Sequence, residues 1–121
     1  MDISIVALDA LPVLDSTVRE GIGGVEVRAI TFARGLRDEH QVAPKVIVKD
    51  RHGLPEELEG FPIQGYHKPR TNLVAKLSQS LAKRVAKRPP LNPFFQRLQT
   101  DIVLCFGVRN DTASIVRSCK R

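Results

Sequence analysis

Short, β-branched apolar runs separated by amphipathic helical patterns constrain this chain more than any other feature. Ile3-Ser4-Ile5-Val6-Ala7-Leu8 and Asp101-Ile102-Val103-Leu104-Cys105-Phe106-Gly107 are nearly continuous in apolar residues. Such runs suit central parallel strands, which are covered on both faces and so show no alternating polar side. Val46-Ile47-Val48 forms the centre of a third run from Val42 to Val48. Pro44 cannot donate to a sheet ladder and marks that strand's start or an irregularity in it. Phe61-Pro62-Ile63-Gln64-Gly65-Tyr66 reads as a short strand, which Pro62 places toward a sheet edge.

Helical periodicity fills the intervals. Ile22, Val25, Ala29, Ala33 and Leu36 share one helix face, and Glu26, Arg28, Arg34 and Arg37 take much of the other. Leu73, Leu77, Leu81 and Val85 mark a second amphipathic helix that stops before Pro89-Pro90. Asn92 is placed to cap a short helix with Pro93 at its first position. Asn110 or Asp111 caps a last helix through Ala113, Ile115, Val116 and Cys119. Asp9 to Gly21 and Asp50 to Gly60 read as loops, rich in turn-forming residues. The order β-α-β-β-α-(α)-β-α predicts an α/β fold: a Rossmann-like, mainly parallel sheet with helices on both faces, in one incomplete domain over residues 1–121.

The loop between the first strand and the first long helix ends in Gly21-Ile22-Gly23-Gly24. Glycine lets backbone approach a ligand closely, and a helix start directs unpaired N–H groups and a positive dipole at the same space. An anion is the expected occupant, with phosphate the usual one. A P-loop is excluded because Val25-Glu26 stands where Lys-Ser/Thr is required. The dinucleotide fingerprint is excluded because the glycines follow Leu8 by about a dozen residues and Glu26 occupies the third glycine position. Ligands of open α/β sheets bind at the carboxyl ends of the strands, so Asp9, after the first strand, and Arg109, Asn110 and Asp111, after the fourth, are candidates for the same cleft.

Charge is unevenly distributed. The formal net charge is +6, yet no acidic residue lies between Glu59 and Asp101, a stretch holding eight basic ones. The remaining chain carries eleven basic and thirteen acidic residues. Lys76, Lys83, Arg84, Lys87 and Arg88 lie opposite the leucine stripe of the second helix, as a solvated face or a surface for anionic lipid headgroups or other polyanions. Nothing resembles a nucleic-acid-binding module, and Phe94 and Phe95 sit in an apolar setting. Cys105 and Cys119 do not make a disulfide framework and read as reduced thiols of a cytoplasmic protein. His40, His52 and His67 are scattered without metal-ligand spacing, so no metal site is expected. His52 and His67 read as solvated loop residues. An exposed sheet edge makes self-association an expectation.

A first strand, a long loop, and Gly23-Gly24-x-Glu26 opening a helix through Phe32-Ala33-Arg34-Gly35-Leu36 resemble the start of the retaining GT-B glycosyltransferases of family 4, the group 1 glycosyltransferases. His40-Gln41-Val42 is similar to the family's entry into the second strand, with Glu39 where glycine is expected. Asp101 to Gly107 looks like the family's Asp-Val-Val-His-x-His-Gly strand, with Leu104 and Phe106 replacing both histidines. The resemblance implies a partial N-terminal, acceptor-side domain, whose partner is the C-terminal GT-B domain that binds a nucleotide-sugar. It implies hexose transfer to a glycan or lipid acceptor by the full enzyme, no activity in this chain alone and no cofactor of its own. Gly23 and Gly24 would face the donor diphosphate or the leaving sugar, and no catalytic residue is assigned. It also implies a cytoplasmic protein docking on the inner face of the membrane through its basic helix. The alternative is a stand-alone flavodoxin-like module that binds anionic membranes or polyanions through that helix.

Overall fold

The computed structural model describes residues 1–67, 91–107 and 112–119. The chain divides into two compact units, Met1–His67 with Gln99–Val108, and Lys68–Leu98 with Arg109–Arg121. The predicted helix from Leu73 to Val85, with its basic face, lies outside the described residues.

The first unit is a five-stranded, mostly parallel sheet with helices, an α/β arrangement. Its strands are β1 (Ile3–Val6), β2 (Lys45–Lys49), β3 (Glu57–Leu58), β4 (Phe61–Tyr66) and β5 (Ile102–Cys105), in the order β3-β4-β2-β1-β5. All neighbours are parallel except β3 and β4. The central β1 aligns Ile5 with Val46 of β2 and with Leu104 of β5. Residues on both faces of β1 and β2 are buried: Ile5, Val46 and Val48 on one, Ser4, Val6 and Ile47 on the other. This double burial is why these runs do not alternate in polarity.

Helix α1 (Leu11–Leu14) and helix α2 (Gly24–His40) contribute Leu14, Ala29, Ile30 and Ala33 to a core with Ile5, Val46, Val48 and Phe61. The segment holding α1 was expected to be all loop. Pro12 sits at the helix start, where its missing N–H costs nothing, and Leu11, Pro12 and Leu14 are buried. Helix α2 runs one turn beyond Leu36 because Gln41 adopts a left-handed cap (φ 55°), with Gln41 N–H donating to Arg37 O and Val42 N–H to Leu36 O.

The predicted loop from Asp50 to Gly60 contains β3 and a two-residue hairpin. Glu59 (φ 52°) and Gly60 (φ 82°) both take positive φ, as the turn twist that suits a hairpin demands. Strand β4 is therefore flanked on both sides rather than at the edge. Pro62 is accommodated because pairing with β2 begins only at Ile63, whose N–H donates to Glu56 O at 2.8 Å. The hairpin is tied to α2 by cations. Arg34 makes a fork onto the Glu59 carboxylate (Nη2–Oε1 2.8 Å, Nε–Oε2 3.0 Å), and Arg37 donates to Glu59 O and lies 4.8 Å over the Phe61 ring.

The second unit holds helices α3 (Pro93–Arg97) and α4 (Thr112–Cys119). Asn92 caps α3 as expected, its side chain accepting from Phe94 N–H at 3.1 Å, and Pro93 opens the helix. Asn92 N–H donates to Ser118 Oγ at 2.7 Å, and that hydroxyl donates to Ser114 O, so a buried polar chain joins α3 to α4. Phe95 is buried and meets Phe94 edge-on at 5.0 Å. Among the described residues no helix is long and apolar enough to cross a membrane.

The hydrogen bond from Arg34 holds the Glu59 carboxyl below its ordinary value of 4.5, with burial acting in the opposite direction. A lowered folded-state value gives stability that is complete above the ordinary value and is lost as pH falls through the lowered one. Glu59→Gln is expected to cost about 0.5 kcal/mol in urea unfolding at neutral pH, since the pair is partly solvated. The gap to the parent should narrow as pH falls below the ordinary value and close once the lowered one is passed.

Candidate functional site at the carboxyl ends of the parallel strands

Parallel strands place all their carboxyl ends on one rim, and Asp9, Glu20, Lys49, Asp50 and Arg51 gather there. It has two parts: the side between β1 and β5, which α2 enters, and the side formed by the ends of β1, β2 and β4.

Helix α2 starts against the end of β5. Gly107 follows β5 with φ 81°, and a Cβ there would come within 3.1 Å of Val25 Cγ1 in the helix's first turn. Phe106 and Phe32 pack with ring centroids 5.8 Å apart, fixing the same junction about two helical turns further along α2. Gly23 is the residue preceding the helix, and no side chain caps it. Gly23 and Gly24 are both exposed, and a Cβ on Gly24 would meet nothing within 4 Å. The carboxylate of Glu26 folds back over Gly23, where an added Cβ would lie 3.3 Å from Glu26 Cδ. The helix start thus carries a negative charge of its own, favourable to the dipole and competing with any incoming anion.

The preceding loop is held at two points. Thr17 donates to Asp15 Oδ1 through its backbone N–H (3.0 Å) and its hydroxyl (2.6 Å). These bonds keep the Asp15 carboxyl below its ordinary value. Glu20, directly before the glycines, accepts from Arg51 Nη2 at 3.0 Å.

The other side of the rim is built from three consecutive residues. Lys49, Asp50 and Arg51 leave the end of β2 toward three different segments. Lys49 Nζ pairs with Asp9 Oδ1 at 2.6 Å, Arg51 reaches Glu20, and Asp50 contacts His67 Nε2 at the end of β4. Asp9, Glu20, Lys49, Asp50 and Arg51 surround a recess of about 180 Å³ with Leu8, Leu11 and Pro12 beneath. A wider depression of about 570 Å³ opens on the far side of Asp50, toward His67.

The expected site residues are distributed accordingly. Gly23 and Gly24 are at the helix start beside β5. Asp9 is on the rim but turned to Lys49, on the β2 side. Arg109, Asn110 and Asp111, and Lys76, Lys83, Arg84, Lys87 and Arg88, lie outside the described residues. Among the described residues no group of three or more His, Cys, Asp or Glu is placed to hold a metal ion. Cys105 and Cys119 are not in a disulfide. Sequence reasoning assigned no site role to Glu20, Lys49, Asp50 or Arg51, and read His67 as a solvated loop residue. The available signal was position: Lys49-Asp50-Arg51 and His67 end parallel strands, where ligand-binding residues of such sheets stand.

No protein-family model, curated protein or solved structure matches the chain.

Gly107→Ala is expected to lower stability by about 1–2 kcal/mol in urea unfolding, because it forces a side chain to positive φ and against Val25. Gly24→Ala, with open space and a better helix former, should be neutral or stabilising by up to about 1 kcal/mol. Equal losses for the two variants would contradict the described contact between α2 and the end of β5.

Proposed function

We propose that this chain is the acceptor-side, Rossmann-like domain of a GT-B glycosyltransferase of the family-4 type, acting with a donor-binding domain that supplies the nucleotide-sugar site. The observation carrying the proposal is the point at which the strand order reverses. Counting only the parallel strands in chain order, the sheet runs 3-2-1-4, and the reversal falls between β1 and β5. Ligands of open α/β sheets bind in the crevice at such a point. The uncapped start of α2, with Gly23 and Gly24, stands beside the end of β5 there, and Gly107 gives it room. A flavodoxin-like order would instead place the third parallel strand beside β1, so the stand-alone flavodoxin-like reading draws no support from this topology.

In this reading the first-turn N–H groups of α2 meet the diphosphate of the donor as it leaves. The glycines let that group approach, and the helix dipole favours its charge. Glu26 tempers the attraction, so the half-site holds a diphosphate weakly by itself. Strong binding then depends on cations of the donor-binding domain. That division suits a two-domain enzyme that must release its nucleotide product.

Amide NMR titration with uridine diphosphate tests this. Shifts are expected at Gly23, Gly24, Val25 and Gly107. Gly24→Ala should weaken binding about tenfold without loss of stability, because its Cβ obstructs the approach. Glu26→Gln should strengthen it by about threefold through loss of a like charge. Shifts absent from the α2 start, or unchanged affinity in Gly24→Ala, would overturn the proposal.

A further inference from the structure

The loop that delivers the chain to α2 has little to hold it. From Arg19 to Gly24 every residue is exposed, so no buried side chain anchors the stretch, and Gly21, Gly23 and Gly24 are glycine. Glycine gives up more conformational freedom on ordering than any other residue. The hydrogen bonds of Thr17 and Val18 to Asp15 brace the earlier part of the loop only against itself. Among the described residues, one hydrogen-bonded ion pair ties the stretch from Arg19 to Gly24 to the end of β2. It runs from Arg51 Nη2 to Glu20 Oε1 at 3.0 Å.

The two partners differ in how firmly they are held. Arg51 follows two residues whose backbones are fixed on both sides of β2. Lys49 N–H donates to Leu8 O at 3.0 Å, and Asp50 N–H to Tyr66 O at 3.1 Å. The Asp50 side chain is seated against β4, where an added Cβ on Gly65 would lie 2.7 Å from Asp50 Cγ. Leu54 N–H donates to Arg51 O at 3.4 Å. Glu20 has no backbone hydrogen bond of that kind among the described residues. The sheet therefore supplies a fixed cation, and the loop attaches to it by a carboxylate directly before the glycines.

We propose that Arg51 is a positioning residue of the anion site at the start of α2. By holding Glu20 it fixes the path of Gly21 to Gly24 and keeps the first-turn N–H groups set for a diphosphate. This role rests on the reading of the α2 start as a diphosphate site. Arg51 does not touch the ligand, because its guanidinium is engaged with Glu20 on the β2 side of the rim. A loop ordered beforehand bears no ordering cost when the ligand arrives. The expected size is that of one exposed pair, about threefold in affinity. Neutralising Glu20 acts in the same direction, since a bare carboxylate there would join Glu26 in opposing an incoming anion.

The test compares the full chain as the parent, as the E20Q/R51Q double variant and as the E20R/R51E charge swap. All three carry the same net charge, so a difference among them reports the tie and not the field. Heteronuclear NOE values of the Gly21, Gly23 and Gly24 amides read the order of the loop, and titration with uridine diphosphate reads affinity. In the double variant the NOE values should fall at these amides and not along Ala29 to Leu36. Uridine diphosphate should bind it about threefold more weakly. The charge swap should recover both loop order and affinity. Arg51→Lys, which keeps the cation, gives a second rescue if the swapped pair does not close. Glycine amides unchanged in the double variant would overturn the proposal. So would a swap that restores loop order without affinity, which would make Arg51 a direct ligand contact. A parent chain that does not bind uridine diphosphate at the α2 start would overturn the reading of the site instead, and the glycine amides would still decide whether Arg51 fixes the loop.

Discussion

The parallel pairing of β1 with both β2 and β5 is the constraint on which the rest of the first unit depends. A strand buried on both faces cannot leave its N–H and C=O groups to water, so each must find a neighbour. Ser4, Ile5 and Val6 are almost wholly buried and lie in register between the two strands. The ladder extends past the strand ends: Ala7 N–H donates to Ile47 O, Lys49 N–H to Leu8 O, and Ile102 N–H to Asp2 O. Even the buried hydroxyl of Ser4 is satisfied, donating to Thr100 Oγ1 at 3.1 Å. Three parallel strands in this order need long crossovers, and those crossovers decide where loops gather. The rim on which the loops gather follows from that backbone accounting before any side chain is considered.

On the rim, individually weak interactions act through their directions. The pairs Lys49–Asp9 and Arg51–Glu20 are solvent-exposed, and pairs of this kind contribute about 0–1 kcal/mol each. Their effect is to connect segments far apart in sequence: β2 to the loop after β1, and β2 to the loop before α2. The glycine loop is thereby held by Glu20 on one side and by the contact of Gly107 with Val25 on the other. Glycine appears where two groups need the same space. At Gly23 and Gly65 a carboxylate occupies it, and at Gly107 a valine does. The rim therefore has two distinct neighbourhoods, one centred on a helix start and one on a carboxylate–imidazole pair.

Much of the fold was legible in short-range patterns. The β-branched runs marked three of the four parallel strands, Phe61 to Tyr66 was read as the fourth from its short apolar pattern, and the Asn92-Pro93 cap was visible because it needs only adjacent residues. The 3.6-residue period located α2 but ended it a turn early, since Gln41 rather than glycine takes the left-handed cap. Helix α1 was concealed by Pro12, a residue that ends helices in their interiors and suits their beginnings. Strand β3 was concealed because its hairpin turn is Glu59-Gly60 rather than the commoner Asn-Gly or Asp-Gly, and because two residues carry no periodicity. Of the candidate site, Gly23-Gly24 was legible from its place before a helix. Lys49, Asp50, Arg51 and His67 were not, because each is informative only with a partner distant in the chain.

Local patterning determined the element types of this protein and the presence of a glycine-opened helix after the first strand. Backbone propensity and hydrophobic period act over a few residues, and those few residues carry them. Tertiary structure alone decided the strand order and the direction taken by Asp9, which turns to Lys49 rather than to the junction of α2 with β5. It also decided the joining of Asp50 to His67 over Gly65. These depend on which strands become neighbours, and that choice is made by the burial of whole faces and the pairing of whole ladders. The glycine stretch that first marks an anion site in the sequence acquires an address only when β5 returns to lie beside β1.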